Sequence, residues 1–334
     1  AEAGGGSYHD AKNQQELNAA LGAVQTDVTQ DEIIVPPGVN TPTPAPTATP
    51  SPSPTSVLAD FTSPIAYILD GNIWLIQPAT GQQHKLIDFD SVPVWSPAWS
   101  SDGKQLAFGI AGSEMKGDIG ILNLESGETR QLGLPDKSDD WHGSAIDLAW
   151  TADNSMIYYS MSTEPMGRYR RLRRVRSDGS GRVEIPSISR NWEWEGFPAF
   201  SPDGRWMTFG MMQKYYLLEW PADYWAIWGA QADESGSQQL VTGLSGQSSW
   251  SPDSTQMAYD TYWFKGNPGN NSIHLMDARG NHIRQLTSNG LAPSWAPNGQ
   301  EVAFIRTTAD GTAEVWIINV DGSNARKLTD GSEP

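Results

Sequence analysis

Serine, histidine, carboxylate and guanidinium groups are the side chains of this sequence that can do chemistry, and their spacing sorts them. The string closest to a Gly-x-Ser-x-Gly nucleophile elbow is Asp178-Gly179-Ser180-Gly181. An elbow presents its serine on a sharp strand-to-helix turn, whereas Asp-Gly followed by Ser-Gly is the chemistry of a hairpin between strands. His9, His84, His142, His274 and His282 show no His-x-x-x-His or comparable ligand spacing, so no zinc site is legible. Asp102, Asp153, Asp203 and Asp253 recur at regular distances and offer oxygen ligands for Ca²⁺ on one rim. The same aspartates also serve as turn formers that accept hydrogen bonds from their own backbone, and that is the reading we adopt. No catalytic residue and no cofactor is expected.

Two stretches suit contact with a partner. The run Arg168-Tyr169-Arg170-Arg171-Leu172-Arg173-Arg174-Val175-Arg176, with Arg182, holds seven of the 22 cationic residues. Guanidinium forks match carboxylates, either within the molecule or on an acidic partner. Residues 211–225 run from Met211 to Trp225 and carry Trp220, Tyr224 and Trp225, aromatic material for an interface or for stacking on a glycan.

The chain has 334 residues, no cysteine and a formal net charge of −17. Without cysteine there is no disulfide, thiolate or cysteine-ligated metal. The charge argues against nucleic acid, whose phosphates require a basic face. Apolar runs such as Val315–Ile318 are far shorter than a membrane span, so no membrane insertion is expected. A start at Ala1 without methionine suits a mature exported chain, extracellular, at the cell surface or periplasmic.

Composition shifts twice. Residues 39–55 alternate Pro with Thr, Ser and Ala and carry no charge, the signature of a polyproline-II linker that builds no core and is open to O-glycosylation. Before it, residues 1–38 carry six acidic residues against Lys12 alone. Asp10 can cap a short helix with Leu17, Ala20, Leu21 and Val24 on one face. The stretch containing Ile33, Ile34 and Val35, closed by Pro36, reads as a short strand. A helix this short is marginal alone, so the arm is expected to dock. Asn270-Asn271-Ser272 matches an N-glycosylation triplet.

Residues 56–334 repeat. Pro97-Ala98-Trp99-Ser100-Ser101-Asp102-Gly103 through Ala107-Phe108 returns around Trp150, Phe200, Trp250 and Trp295, each aromatic eight residues before Ala107, Tyr158, Thr208, Ala258 or Ala303. A degenerate copy sets Leu58 eight before Ala66, giving anchors at 58, 99, 150, 200, 250 and 295. Each unit reads as an inner strand, a Ser-Pro-Asp-Gly turn, second and third strands and a polar, basic outer strand that blunts the open edge. Four strands per 40–50 residues make a propeller blade. The fold class is therefore all-β, a six-bladed β-propeller with an extended N-terminal arm and a Pro/Thr-rich linker. In this alignment Arg173 and Arg174 fall where other blades place Trp74 and Leu75 or Trp316 and Ile317. Such positions demand carboxylate partners, because an unpaired buried charge is costly.

The Trp-Ser-Pro-Asp-Gly…Leu-Ala-Phe units resemble the WD40-like repeats of the TolB-like propeller family, and also the propellers of dipeptidyl-peptidase-type enzymes. The first resemblance implies a periplasmic propeller that works by binding. The TolB-like N-terminal α/β domain is not evident in the 55 residues before the propeller, and the peptidases' hydrolase domain has no counterpart here. The sequence thus points to a non-enzymatic extracytoplasmic scaffold, its arm docking on a neighbouring copy or another partner, with strand addition to a sheet edge as one route. Two alternatives are a surface-tethered module binding peptide or glycan, and a metal-dependent hydrolase or lactonase.

Overall fold

The computed structural model describes residues 61–87, 92–110, 118–133, 145–162, 170–186, 192–213, 225–242, 246–261 and 271–331, all within the unit Pro52–Pro334. The arm with its expected helix and strand, the linker and the Leu58 copy of the repeat lie outside these residues.

Every described element is a strand, and the strands form six antiparallel blades. Blade 1 shows β1 (Ile65–Leu69), β2 (Asn72–Ile76) and β3 (Gln83–Ile87), which correspond to the second, third and outer strands of the repeat. Blade 2 is β4 (Val94–Trp99), β5 (Gln105–Ile110), β6 (Asp118–Asn123) and β7 (Thr129–Gln131); blade 3 is β8 (Ile146–Trp150), β9 (Met156–Ser162), β10 (Arg170–Arg176) and β11 (Val183–Glu184). Blade 4 holds β12 (Trp192–Phe200), β13 (Trp206–Gln213), β14 (Trp225–Gln231) and β15 (Gln238–Thr242). Blade 5 holds β16 (Ser248–Trp250), β17 (Gln256–Thr261), β18 (Ser272–Asp277) and β19 (Arg284–Ser288), and blade 6 holds β20 (Leu291–Trp295), β21 (Glu301–Thr307), β22 (Ala313–Asn319) and β23 (Arg326–Asp330). No helix of the described residues is long and apolar enough to cross a membrane.

The second strands read as unbroken apolar runs because both of their faces are covered by neighbouring blades. Leu106 and Phe108 pack with Ile73 and Leu75 of blade 1, while Ala107 between them packs with Trp150 and Tyr159 of blade 3. The remaining seams repeat this plan, and the last one closes the wheel: Tyr67 and Ile76 of blade 1 pack against Ile305 and Val315 of blade 6. A second closure device lies outside. Arg130, Arg284 and Arg326 hold one register position on three outer strands, opposite Ile121, Leu275 and Ile317. Each guanidinium donates to a carbonyl of the following blade, that of Ser177, Val320 or Pro78. The same clamp that joins blades 2 and 3 therefore joins blades 6 and 1.

The two faces of the wheel differ. The face of the first-to-second and third-to-outer turns is tight and laced together. Ser101 donates to Asn154 Oδ1 (2.9 Å) and the Ala152 carbonyl (2.6 Å), and the Asp203 amide donates to Ser254 Oγ (3.0 Å). On the opposite face the second and third strands of blade 1 join through the two residues Asp70-Gly71, whereas in blades 2 to 5 longer stretches of sequence separate the strand ends Ile110, Ser162, Gln213 and Thr261 from the strands that follow. Blades 3 and 4 depart from the plan, because a parallel pairing of Arg170 with Trp194 joins them into one sheet.

Candidate functional site

The axial channel is lined by one pair of residues from each of five blades: Ser96-Pro97, Asp147-Leu148, Phe197-Pro198, Gln247-Ser248 and Ala292-Pro293. The first member of each pair stands three residues before the aromatic anchor. At four of them φ is positive (Ser96 50°, Asp147 54°, Phe197 53°, Ala292 50°), and the register slips there: Trp95/Ala98, Ile146/Ala149, Gly196/Ala199 and Leu291/Ser294. These are β-bulges, which suits a proline that cannot donate to the ladder. A bulge turns its amide away from its own blade, so the channel needs acceptors.

Two buried aspartates supply them. Asp147 accepts from Ser160 Oγ (2.5 Å), Arg170 (3.4 Å) and the Phe197 amide, while its own amide donates to Ser96 Oγ (3.1 Å). One residue thus ties blades 2, 3 and 4. Asp260 accepts from the amides of Gly246 (3.3 Å), Gln247 (3.0 Å) and Ala292 (3.1 Å) and ties blades 5 and 6. Burial raises both carboxyls above the ordinary range despite these donors. Asp260 and Ser160 share one second-strand position with Gly109 and Gly210, two residues after the small-or-Tyr position. At Gly210 a Cβ would stand 2.8 Å from the Gly246 carbonyl, so there the close approach of backbone to backbone requires glycine.

The arginine strand β10 is engaged within the molecule. Arg174 stands opposite Tyr158 as Leu75 stands opposite Ala66, so Tyr and Arg replace Ala and Leu. Arg174 pairs with Glu234 of blade 4 at 2.6 Å, and Tyr158 donates to the same carboxylate oxygen at 2.8 Å. Burial, assisted by that carboxylate, pushes the Tyr158 hydroxyl up to about 12. Arg173 meets Glu184 at 3.0 Å, Arg170 meets Asp147, Arg171 donates to the Arg170 carbonyl, and Arg182 reaches the Leu132 carbonyl beside Asp118.

The turn aspartates accept bonds from their own turns. Ser100, Thr151, Ser201 and Ser251 donate to Asp102, Asp153, Asp203 and Asp253 at 2.6–2.7 Å, which holds each carboxyl below the ordinary range. Asp178-Gly179-Ser180 is the β10–β11 hairpin, with Gly179 at φ 87°. His84 lies in β3, His274 in β18 against Tyr259, and His282 in a hairpin where it pairs with Asp277. Among the described residues no three His, Asp or Glu side chains gather as a metal site. Ile33, Ile34, Val35, Arg168, Trp220 and Tyr224 lie outside the described residues, and Trp225 opens β14 opposite Met212.

No family model matches the chain. A 72-residue segment is 38% identical to the Tol-Pal system protein TolB 1 of Novosphingobium aromaticivorans, covering 20% of this chain and 16% of that protein. A 57-residue segment is 40% identical to the Tol-Pal system protein TolB of Zymomonas mobilis, covering 15% and 12%. The matches thus span about a sixth or less of those relatives. Among solved structures, TolB from Acinetobacter baumannii superposes with TM-score 0.62 at 17% identity, covering 82% of this chain and 65% of that one. A putative TolB from Agrobacterium tumefaciens gives 0.60 at 18%, covering 81% and 92%. Oligogalacturonate lyase in complex with manganese shares the fold at TM-score 0.51 and 13% identity, covering 80% and 72%. The chain therefore carries a six-bladed propeller built of TolB-like repeats.

Proposed function

We propose that this chain is a non-catalytic protein-interaction propeller of an extracytoplasmic compartment, periplasmic or at the cell surface. The observation that carries this reading is the asymmetry of the two faces. One is locked blade to blade by short turns whose polar groups serve one another; on the other, longer stretches of sequence separate the second and third strands of blades 2 to 5. Binding residues concentrate on such connections held by a rigid scaffold. The Tol-Pal names of the relatives support the compartment and the mode of action.

Within this reading the acidic arm, residues 1–38, docks on the connection face of a neighbouring copy. The outer blade edges are poorer seats for it, because Arg130, Arg284 and Arg326 already spend their guanidinium groups on the next blade. Head-to-tail docking of this kind does not close on itself and grows into an array. Sedimentation velocity of the full chain against residues 56–334 is the test. The full chain is expected to show concentration-dependent oligomers and the propeller alone a monomer; two monomers would remove self-docking.

A further inference from the structure

Blade 5 departs from the repeat at two positions of one seam. The first is the second-strand residue three after the small-or-Tyr position. It is Leu69, Ile110, Met161, Met211 or Arg306 in the other blades, but Thr261 in blade 5. The second is the third-strand residue opposite the second-strand aromatic. Blades 1, 4 and 6 place Trp74, Trp228 and Trp316 there, whereas blade 5 places His274 opposite Tyr259. Each change sets a smaller side chain against blade 4. A groove of about 500 Å³ lies at this seam, between Tyr259, Thr261 and His274 of blade 5 and Leu240 and Val241 of β15 in blade 4. Ile283 stands on the same lining and is 49% exposed, which carries the apolar wall out to the rim.

Blade 6 shows what such a seam holds when the long side chain is present. The Arg306 guanidinium lies over the rings of Trp316 (4.0 Å) and Phe304 (5.3 Å). It also donates to Thr287 Oγ1 on the outer strand of blade 5 at 3.3 Å. Each wall of this nest has a counterpart one seam earlier. Tyr259 stands for Phe304 and His274 for Trp316. Val241, opposite Ile227, stands for Thr287, opposite Ile273. The Tyr259 and His274 rings lie nearly parallel, 5.4 Å between centroids and 23° between planes. Aromatic surface of this kind attracts a guanidinium, more strongly where water is partly excluded. Burial lowers the His274 imidazole below its usual range, so it is uncharged at neutral pH and does not repel a cation.

We propose that this groove receives an arginine side chain of a partner protein. Its guanidinium lies over Tyr259 and His274 as that of Arg306 lies over Phe304 and Trp316, and its methylene stem runs along Leu240 and Val241. Arginine is among the side chains that most often anchor protein interfaces, and the formal charge of −17 favours the approach of a cationic partner. Residues 1–55 contain no arginine. The occupant is therefore not the arm, and this site stands or falls independently of self-docking.

Nuclear magnetic resonance of the full chain at neutral pH, followed at the His274 ring signals, tests this with two matched probes. They are N-acetylarginine amide and its uncharged counterpart of nearly the same shape, N-acetylcitrulline amide. The arginine probe is expected to shift the His274 signals saturably and to bind about tenfold more tightly than the citrulline probe, the margin of a partly desolvated cation–π contact. Thr261→Arg rebuilds in blade 5 the arrangement of blade 6, so it should keep the melting temperature and weaken the arginine probe by about tenfold or more. Equal binding of the two probes, no shift with either, or unchanged arginine affinity in folded Thr261→Arg would overturn the proposal. The probe pair on the unaltered chain decides the matter even where the variant fails to fold.

Discussion

At the scale of single residues, charge is placed by what the fold can pair. Arg174, Glu234 and Tyr158 form one set across the seam between blades 3 and 4. Arg174→Met leaves Glu234 and the Tyr158 hydroxyl facing an apolar neighbour, and chemical denaturation should show a loss of about 2 kcal/mol, since both partners are only partly buried. Adding Glu234→Gln should recover part of that loss, as expected of coupled neighbours. The carboxylates also set the response to pH, with two opposite signs. Asp102, Asp153, Asp203 and Asp253 are held below the ordinary range, first by their Ser or Thr donors. Their stabilisation is present above the ordinary carboxylate pKa of about 3.9 and is lost as pH falls through the lower folded values. Asp277, held at about 2 by the Asn281 amide and His282, behaves likewise. Asp147 and Asp260 are raised by burial, so their contribution is greatest at low pH and declines as pH rises through the raised values. Melting temperatures measured from about pH 5 to about pH 2.5 should therefore fall less steeply for an Asp153→Asn, Asp253→Asn double variant than for the parent chain. Equal slopes would show that the turn bonds do not carry the acid limb.

At the scale of elements, the repeat shows how much of this fold is readable from one sequence. The spacing of Trp99, Trp150, Phe200, Trp250 and Trp295 marks five inner strands, and the Ser-Pro-Asp-Gly turns fall where the chain reverses. The alignment of Arg173 and Arg174 with apolar positions of other blades also holds in the strand register. Three features are not legible, for physical reasons. The channel bulges depend on local backbone geometry, which Ser96, Asp147, Phe197 and Ala292 do not announce by residue type, although their constant offset from the anchor is visible. Asp260 reads as an ordinary strand-end acid until the amides of Gly246, Gln247 and Ala292 surround it. The parallel join of Arg170 and Trp194 is long-range and leaves no local signal. Equivalent anchors also differ in their partners. Trp150 Nε1 donates to the Ala98 carbonyl at 3.0 Å, while Trp250 Nε1 finds no acceptor among the described residues. Both Trp150→Phe and Trp250→Phe lose buried indole volume, and Trp150→Phe should cost about 1–2 kcal/mol more because it alone leaves a carbonyl unpaired. Thermal unfolding of the two variants side by side checks the contrast.

At the scale of the whole molecule, the wheel is closed twice. The apolar seam of Tyr67, Ile76, Ile305 and Val315 closes it within, and the Arg326 clamp to the Pro78 carbonyl closes it at the rim. A ring closed by the same contacts that join its other blades is a stiff scaffold, and among the described residues blades 3 and 4 depart from its plan where Arg170 pairs with Trp194. The formal charge of −17 opposes indiscriminate association of such a scaffold, and we propose residues 1–38 as the segment that makes a specific contact. Hydrogen exchange of the full chain compared with residues 56–334 tests that assignment most directly. With the arm docked, exchange should be slower in the full chain at the strand ends Ile110, Gln213 and Thr261, and unchanged at the turns around Asp102, Asp203 and Asp253. Protection on the turn face, or identical exchange in both forms, would contradict it.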